Sequence, residues 1–400
     1  MSTWRPLRIR DIARLFDGPH ATPKSTKTTN SGPVFLGISS LNAGRLDLSR
    51  SSFISEEDFV QWTRRITPSE GDVVFSYETR LGEAAVIPAG FRGALGRRLA
   101  LLRPDRDVVD PRFLLYSYLA PAFQEVIRQR TVPGSTVDRI MLQDFPEFPI
   151  FLPSLPEQQE IAATLGALDD TIESGRRIAA KVQELLTAMF TESFVELGQR
   201  GGVAPDGWRR GTLRDVLALV KSPTKAGAKP ELPYIPIDSI PMGSLGLNAS
   251  RPNGDAKSSL SLFKKNDILV GAMRVYFHRV SLAPFEGITR NTTFVLRPEA
   301  PEYLAFGLLV VNRKETIDYA QATSKGSTMP YAVWDGGLAE MPLLIPNPEA
   351  AAAFQERTMP LIEMLRDAHR EAQRLSDLRE TLLPELLSGR IRATEVAAAT

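Results

Sequence analysis

The sequence predicts an α+β protein in which two similar α/β domains are separated by two long helices that form an antiparallel coiled coil. Two observations predict this fold class. One order of short motifs occurs twice along the 400 residues, and a stripe of apolar residues with heptad spacing follows each copy. The composition agrees, because 43% hydrophobic and 24% charged residues are ordinary for globular proteins. We therefore expect an internal pseudo-two-fold repeat.

Six short motifs recur in the same order in both halves. Residues 4–12 are echoed by residues 208–216, with Trp and Asp in register. The other matched pairs are residues 33–38 and 233–237, 71–76 and 266–271, 101–104 and 295–298, 134–136 and 326–328, and 149–153 and 342–346. Any one motif could occur in an unrelated α/β domain. Because all six keep one order, duplication is the better interpretation.

Strand signals lie at matching places in the two halves. Residues 71–76 and 266–271 each read as a turn that leads into a short buried strand, and prolines bound the apolar runs 149–153 and 342–346. We expect a first domain at residues 1–155 and a second at residues 201–348.

Apolar residues after each domain recur at alternating steps of four and three, which is the 3.5-residue period of a coiled coil. The first stripe consists of Ile161, Leu165, Leu168, Ile172, Ala179, Val182, Leu186 and Met189, with Gly175 at one seam position. The second consists of Leu361, Leu365, Ala368, Ala372, Leu375, Leu382 and Leu386, with Arg379 as the exception. We predict a central spacer helix at residues 156–200, a C-terminal spacer helix at residues 349–392, and a tail at residues 393–400.

Each stripe could instead pack on its own domain, which is the commoner fate of an amphipathic helix. Helix length favours the coiled coil, because forty residues extend about 60 Å, more than the width of a domain of about 150 residues. Gly166 and Gly175 should weaken the first helix, and Pro360 and Pro384 should start or kink the second.

Charge and residue inventory narrow the class of function. Lys plus Arg outnumber Asp plus Glu by 20 to 17 in residues 1–150 and by 17 to 13 in residues 205–348, which is weak evidence for a nucleic-acid partner. The absence of cysteine excludes disulfides and thiolate sites, and three scattered histidines disfavour a metal site. With no long apolar run and a charged N-terminus, we expect a cytoplasmic protein.

Motifs of autonomous catalysis are missing from the sequence. It has no P-loop, no glycine-rich dinucleotide motif, no hydrolase elbow, and no Asn/Asp-Pro-Pro-aromatic loop of an adenine methyltransferase. We therefore expect no catalytic, cofactor-binding or metal-binding residues in this chain.

Basic and polar residues in the expected loops are candidates for DNA binding, because Lys and Arg neutralise phosphates while Arg and Asn can bond base edges. In the first domain they are Lys24, Lys27, Arg64, Tyr77, Arg80, Arg97, Arg98, Arg130 and Ser135. In the second they are Lys225, Arg274, Tyr276, His278, Arg290, Asn291, Lys325 and Ser327. Each could equally lie on a solvated face. The favourable sign is that matching strands are both followed by aromatic and basic residues.

Residues 152–161, Leu-Pro-Ser-Leu-Pro-Glu-Gln-Gln-Glu-Ile, followed by Leu165, Leu168, Asp169 and Ile172, resemble the central region of a type I restriction-modification specificity subunit. Residues 381–391, Thr-Leu-Leu-Pro-Glu-Leu-Leu-Ser-Gly-Arg-Ile, resemble the end of that family's second helix. The resemblance spans nearly the whole chain. Residues 348–355 depart from it, because they replace the Pro-Glu-Gln opening, and this leaves the start of the second helix open.

The resemblance implies a non-catalytic, sequence-specific DNA-binding subunit. Two target-recognition domains would each read one half of a bipartite target, while the coiled coil sets the gap and docks two methyltransferase subunits. Double-stranded DNA and motor-nuclease subunits would be further partners. S-adenosylmethionine, ATP and Mg²⁺ would belong to the partner subunits.

Two other interpretations fit the residues. A coiled-coil scaffold with two protein-binding domains would show the same paired helices, and a self-sufficient methyltransferase or nuclease would work without partners. Salt-sensitive DNA binding distinguishes the first from a specificity subunit, and reaction product formed by the purified chain alone would reveal the second.

Overall fold

A computed structural model describes residues 4–134, 137–196, 204–247, 250–257 and 259–395. The chain divides into two compact units. One consists of Met1–Asp169 with Asp377–Thr400, and the other of Asp170–Ser376.

The first unit is built around an antiparallel sheet in the order β2-β10-β7-β8. Its strands are β1 (Arg5–Arg8), β2 (Ala13–Asp17), β3 (Val34–Leu36), β4 (Leu41–Asn42), β5 (Arg45–Leu46), β6 (Ser52–Phe53), β7 (Val73–Ser76), β8 (Ala84–Val86), β9 (Gly93–Leu95), β10 (Leu99–Pro104), β11 (Thr131–Val132), β12 (Arg139–Ile140) and β13 (Pro149–Leu152). Its short helices are α1 (Glu56–Trp62), α2 (Pro111–Leu119) and α3 (Pro121–Arg130).

Side chains from β7, β10 and α2 form the largest core cluster of this unit. Phe75 of β7 stacks on Phe145 with ring centroids 4.7 Å apart. Helix α2 begins where it does because the Asp110 side chain accepts hydrogen bonds from the backbone N–H groups of Arg112 and Phe113, while Pro111 needs no partner for its nitrogen.

The second unit repeats this plan with a sheet in the order β15-β22-β19-β20. Its strands are β14 (Arg209–Thr212), β15 (Leu217–Leu219), β16 (Pro223–Thr224), β17 (Tyr234–Ile235), β18 (Leu260–Phe263), β19 (Ile268–Gly271), β20 (Val280–Leu282), β21 (Gly287–Arg290), β22 (Thr293–Pro298) and β23 (Pro342–Ile345). The remaining helices are α4 (Leu155–Phe190), α5 (Leu304–Val311), α6 (Lys314–Ala322) and α7 (Pro348–Leu387).

The duplication predicted from sequence is confirmed by matched pairings. Strand β1 pairs antiparallel with β13, and β14 pairs in the same way with β23. The turn before β7 has Gly71 at φ +87°, and the turn before β19 has Asn266 at φ +68°. Glycine and asparagine tolerate this left-handed conformation, which explains why these two residue types occupy the same place in the two motifs.

Each turn is closed by a buried carboxylate. Asp72 receives Arg103 Nε at 2.9 Å and Nη2 at 2.7 Å, and Asp267 receives Arg297 Nε at 2.7 Å and Nη2 at 2.8 Å. Both carboxylates are nearly inaccessible to solvent. The same bidentate pair therefore joins the turn to the neighbouring strand in each unit.

A smaller sheet differs between the units. In the first its order is β6-β3-β9, and in the second it is β16-β18-β21-β17. The parallel pair β3·β9 corresponds to β17·β21. In the first unit β6 pairs with the free edge of β3. In the second unit β18 pairs with the free edge of β21, and β16 pairs with β18.

Both long helices are present. Helix α7 includes Pro360 and Pro384, so neither proline starts it. It begins at Pro348 because the Asn347 side chain accepts a hydrogen bond from the Ala350 N–H at 2.9 Å. Helix α4 is followed by a π-helical turn, Thr191–Glu196.

A glutamine, buried in the first repeat and half-buried in the second, connects the start of each long helix to its domain. Gln158 Oε1 accepts from the Asp110 N–H at 3.0 Å, and Gln355 Oε1 accepts from the Ala305 N–H at 3.2 Å. Asp110 and Ala305 lie at the starts of α2 and α5, respectively. The second repeat lacks the Pro-Glu-Gln opening, yet a glutamine one to two turns into α7 makes the equivalent contact.

The long helices pair antiparallel within each unit. In the first unit, Ile161 and Leu165 share a core with Leu383 and Leu386, and Asp169 contacts Arg379. In the second, a Cβ on Gly175 would lie 3.2 Å from the Ala368 carbonyl oxygen and 3.4 Å from the Ala372 methyl. Glycine at this seam position thus permits a close approach of the two backbones.

The apolar stripe is wider than a strict heptad seam. Of the residues selected from sequence, those that are buried are Ile161, Leu165, Ile172, Ala179, Val182, Leu186, Leu365, Ala372, Leu375 and Leu386. Those that are half-buried are Leu168, Met189, Leu361, Ala368 and Leu382. Ile362 and Leu383 are also buried, because α7 contacts its domain as well as α4. Among the described residues, none of the helices combines the length and apolar character needed to cross a membrane.

Candidate nucleic-acid interface

Candidate residues of the first domain converge at helix α1. The segment after β2 packs on this helix, where Trp62 Nε1 donates to the Ala21 carbonyl at 3.3 Å and Ser25 Oγ bonds Asp58. Lys24 and Lys27 lie on the same short 3₁₀ turn as Ser25, and both are exposed.

A cavity of about 430 Å³ opens between that segment and the end of α1. Its lining includes Asp17, His20, Trp62, Arg64 and Arg65. Asp17 Oδ2 lies 3.1 Å from His20 Nε2, while Asp17 Oδ1 is buried without a hydrogen-bond partner among the described residues. The cavity therefore combines an aromatic surface, cations and a carboxylate acceptor, all of which suit a polar planar ligand such as a base.

Tyr77 lies beside this cavity. Its hydroxyl is 3.5 Å from His20 Nδ1. Burial, reinforced by the negative charge of Asp17, raises the pKa of Tyr77 to about 12, so the phenol is protonated at neutral pH. Its side chain is 7% exposed, so it supports the cavity wall more than it offers surface.

Arg80 and Arg98 are engaged inside the domain. Arg80 Nη1 donates to the Leu41 carbonyl at 3.2 Å, and its Nη2 bonds Glu83 at 2.6 Å. Arg98 bonds Thr79 Oγ1 at 3.1 Å and lies 2.9 Å from Glu78. Arg97 is exposed. Reading of DNA by Arg80 would require these bonds to break.

The hairpin of β11 and β12 lies next to the segment that follows β7. The Ile140 N–H donates to the Tyr77 carbonyl at 2.9 Å, and Glu78 forms a β-bridge with Arg139. Arg130 lies over the Phe148 ring, 5.0 Å from its centroid. Ser135 lies outside the described residues.

The corresponding loop of the second domain follows β19 and has an unusual backbone. A single 3₁₀ turn, Val275–Phe277, is flanked by Arg274 at φ +49° and His278 at φ +50°. Left-handed conformations of non-glycine residues cost about 1–3 kcal/mol each and persist only where neighbours enforce them.

Several contacts enforce that backbone. The Arg274 N–H donates to the Pro330 carbonyl at 2.7 Å, and Val275 is buried in the core. His278 Nε2 lies 2.9 Å from the Asn312 carbonyl oxygen, so this imidazole anchors the loop. The side chains of Arg274 and Tyr276 are exposed.

The structure brings further candidates to the same loop. Lys325 and Tyr331 exchange backbone hydrogen bonds of 2.9 Å, and Met273 forms a β-bridge with Tyr331. Lys325 and Ser327 are therefore exposed beside Arg274. The Thr292 carbonyl accepts from the Ala272 N–H, which places the turn with Arg290 and Asn291 at the start of the loop. Lys225 lies separately, in a depression beside Ser259 and Leu260.

Comparison with known proteins identifies the family resemblance of this arrangement. Residues 1–184 match the family described as "Type I restriction modification DNA specificity domain". The resemblance to type I restriction-modification specificity subunits is confirmed. The type I restriction enzyme MjaIX specificity subunit of Methanocaldococcus jannaschii is 22% identical over 98% of this chain and 94% of its own.

A second relative and a solved structure show the same resemblance to specificity subunits. The putative type I restriction enzyme MjaX specificity subunit of the same organism is 22% identical, covering 97% of this chain and 94% of its own. The crystal structure of a type I restriction-modification system S subunit from M. genitalium superposes with a TM-score of 0.63 at 16% identity and covers 96% of both chains. That structure shows the same fold.

The sequence places Arg279 among the basic loop residues of the second half but gives no sign that it is the counterpart of Arg80 in the first. Arg279 Nη1 donates to the carbonyls of Ile237 and Ile240, and Arg80 donates to those of Ile38 and Leu41. The two arginines lie at different positions of their loops, because the Gly271 N–H pairs with Arg279 itself, whereas the Ser76 N–H pairs with Glu83. Motif matching therefore gave no signal.

Proposed function

We propose that this chain is the DNA-recognition subunit of a type I restriction-modification complex, and that residues 1–155 and 201–348 are its two target-recognition domains. One observation carries the proposal. In both domains, the segment after the central strand forms a β-bridge to a second segment, Glu78 with Arg139 in the first and Met273 with Tyr331 in the second, and the exposed residues Arg139, Arg274 and Lys325 lie on these segments.

In this proposal each domain reads one half of a bipartite target. Lys24, Lys27 and Arg64 would contact phosphates or bases in the first half-site, and Arg274, Arg290 and Lys325 in the second. Phosphate contacts position a protein on DNA, whereas arginine and asparagine bonded to base edges give sequence choice.

The paired long helices would set the gap between the half-sites and dock two methyltransferase subunits. Their outward faces carry charged residues such as Lys181, Glu184, Arg370 and Glu371, which suits a polar interface. Adenine methylation with S-adenosylmethionine would occur in those subunits, and ATP and Mg²⁺ would serve motor-nuclease subunits. The chain itself would be non-catalytic.

The test is to co-express the chain with its methyltransferase subunit and to sequence the methylated adenines. We expect a target of two short sequences with a fixed gap. Arg274→Ala should relax or weaken one half-site and Arg64→Ala the other, by about 10-fold each, because an arginine contact to a base is worth roughly 1–3 kcal/mol. Arg106→Ala is the matched control and should leave both half-sites unchanged, because Arg106 is exposed and follows β10, at the end of the sheet away from the loop after β7.

Equal effects of Arg64→Ala and Arg274→Ala on both half-sites would contradict the division of reading between domains. Binding should also weaken steeply with added salt, because neutralised phosphates release counterions. A chain that shows no salt-sensitive DNA binding with its partner is a protein scaffold, and methylation by the chain alone would identify an enzyme.

A further inference from the structure

The loop after β19 exposes two neighbouring aromatic rings. Tyr276 is 45% exposed and Phe277 is 36% exposed, and their ring centroids lie 4.9 Å apart at an angle of 59°. Met329 and Tyr331 of the adjoining turn are also largely exposed. Single exposed apolar side chains are common, but four of them on two segments joined by backbone hydrogen bonds indicate an interaction site.

The aromatic pair stands on a fixed support. Its backbone turn is closed by the Phe277 N–H donating to the Arg274 carbonyl and the His278 N–H donating to the Val275 carbonyl, each at 2.9 Å. The Gly243 N–H holds the His278 carbonyl at 2.8 Å. A pair held in this way loses little conformational freedom when a partner covers it.

The charge around the pair favours nucleic acid over an apolar protein surface. Arg274 and Lys325 are exposed beside it, and the Arg279 guanidinium lies 5.8 Å from the Phe277 ring centroid. The acidic residues on the adjacent helix α6 are already in ion pairs: Asp318 with Lys314, and Glu315 with Arg313. Cations that flank aromatic rings are the usual combination for stacking on bases next to phosphates.

The first domain has no such pair in the matching place. Tyr77, the aromatic residue that follows β7, is buried, and its hydroxyl faces His20. In the described part of that segment, residues 77–83, no other aromatic side chain occurs. The two domains therefore offer different chemistry from equivalent loops.

We propose that Tyr276 and Phe277 form a wedge that stacks against bases and partly unstacks one base step in the half-site read by the second domain. This inference rests on the proposed function, and it adds a mode of reading. Pyrimidine–purine steps unstack most easily, so the second half-site is selected partly by deformability, whereas the first is read without a wedge.

The experiment uses the complex of the chain with its methyltransferase subunits and duplexes carrying the mapped target. 2-Aminopurine is placed at successive positions of each half-site, because its fluorescence rises when it unstacks. We expect the fluorescence to rise at one step of the second half-site. Substitution of Tyr276 or Phe277 should not change the fluorescence at any position of the first half-site.

Phe277→Ala and Tyr276→Ala should abolish that rise and weaken binding about 10-fold each, since base–aromatic stacking has energies of this order. Phe277→Trp should retain both, whereas Phe277→Leu, which keeps apolar bulk without a ring, should not. Phe151→Ala is the matched control, because Phe151 is an exposed phenylalanine of the first domain.

Two results would overturn the wedge while leaving the proposed function intact. One is salt-sensitive binding and correct methylation with no 2-aminopurine response that depends on Tyr276 or Phe277. The other is loss of methyltransferase-subunit binding in both alanine variants while DNA affinity of the free chain is unchanged, which would make the pair a protein contact. If the complex neither binds nor methylates DNA, the proposed function fails and the wedge fails with it.

Discussion

The two domains share a frame and differ in what the frame carries. Each has the four-stranded sheet, the strand pair that brings its two ends together, and the turn closed by a buried aspartate–arginine pair. The aromatic residue in the loop after the central strand is buried in the first domain, whereas the same loop of the second domain carries exposed aromatic residues. The comparison shows that strand motifs define the frame, while the loops between them are free to diverge.

The small sheets of the two domains have also diverged. Helix α1 of the first domain packs Phe59 and Trp62 against Phe35 and Ala94. The second domain instead extends its sheet with β16 and β18, and Leu260 of β18 packs against Ile288. The first domain packs a helix on its parallel strand pair, whereas the second widens the sheet beside that pair with two further strands.

The largest test of the shared frame is removal of the turn arginines. Arg103→Ala should lower the free energy of unfolding of the first domain, and Arg297→Ala that of the second, each by about 2–3 kcal/mol, because a buried carboxylate loses a charged hydrogen-bond partner. The backbone N–H groups of Ser69 and Lys264 still bond those carboxylates, which limits the loss. Urea unfolding followed by hydrogen exchange measures the effect domain by domain.

Arg65→Ala and Lys265→Ala are the matched controls for that experiment. Both side chains are exposed, so each change should be within about 0.5 kcal/mol of zero. Equal losses in the controls would show that the ion pairs do not stabilise the turns, and protection lost in the unsubstituted domain would show that the two domains do not unfold independently.

A smaller loss of stability is expected on removal of Arg80 or Arg279, which donate to equivalent carbonyl groups of the two domains from different loop positions. Arg80→Ala and Arg279→Ala should each cost about 1–2 kcal/mol and increase hydrogen exchange at Ser40 and Ser239, respectively. The lysine variants should not restore stability, because an ammonium lacks the planar fork that serves two carbonyls. If Arg80→Ala changed the half-site that is read and left exchange at Ser40 unaltered, Arg80 would be a DNA contact after all.

The smallest effect concerns surface ion pairs near the start of each repeat. Glu147 bonds Arg8 and Arg10, whereas Glu340 bonds Arg214. Glu147→Gln and Glu340→Gln should each cost under about 1 kcal/mol, the first slightly more because two arginines lose a partner. Thermal unfolding at low and high salt measures both, and the difference should vanish at high salt. A larger loss for Glu340→Gln would reverse the expected order.

Most of the frame could be predicted from the sequence, because it depends on local patterns. The repeat is visible in residues such as Asp72 and Asp267, whose turn and strand neighbours match, and the helices are visible in their heptad spacing. The heptad pattern did not identify every buried residue of the helices. Ile362 and Leu383 are buried by contacts with distant parts of the chain, which no heptad pattern contains.

The loop positions of the candidate residues could be predicted from the sequence, whereas their side-chain contacts could not. Loop composition selected Arg274 and Tyr276, which are exposed and remain predicted contacts. It could not reveal that Arg80 is engaged with backbone carbonyls or that Phe277 is exposed, because both depend on a left-handed turn or on a distant 3₁₀ segment. Side-chain engagement is a property of three-dimensional neighbours.

Arg379, the charged residue in the second apolar stripe, affects how α7 aligns with α4 during synthesis of the chain. Arg379 is 15% exposed, lies 2.9 Å from Asp169, and has the Tyr116 ring 5.9 Å from its guanidinium carbon. The Tyr116 hydroxyl donates to the same carboxylate at 2.8 Å. A slip of one heptad would set Arg379 opposite Ala162, which has no acceptor, or opposite Arg176, which repels it. The second helix is synthesised long after the first. The Arg379–Asp169 ion pair then disfavours a pairing of the two helices that is shifted by one heptad.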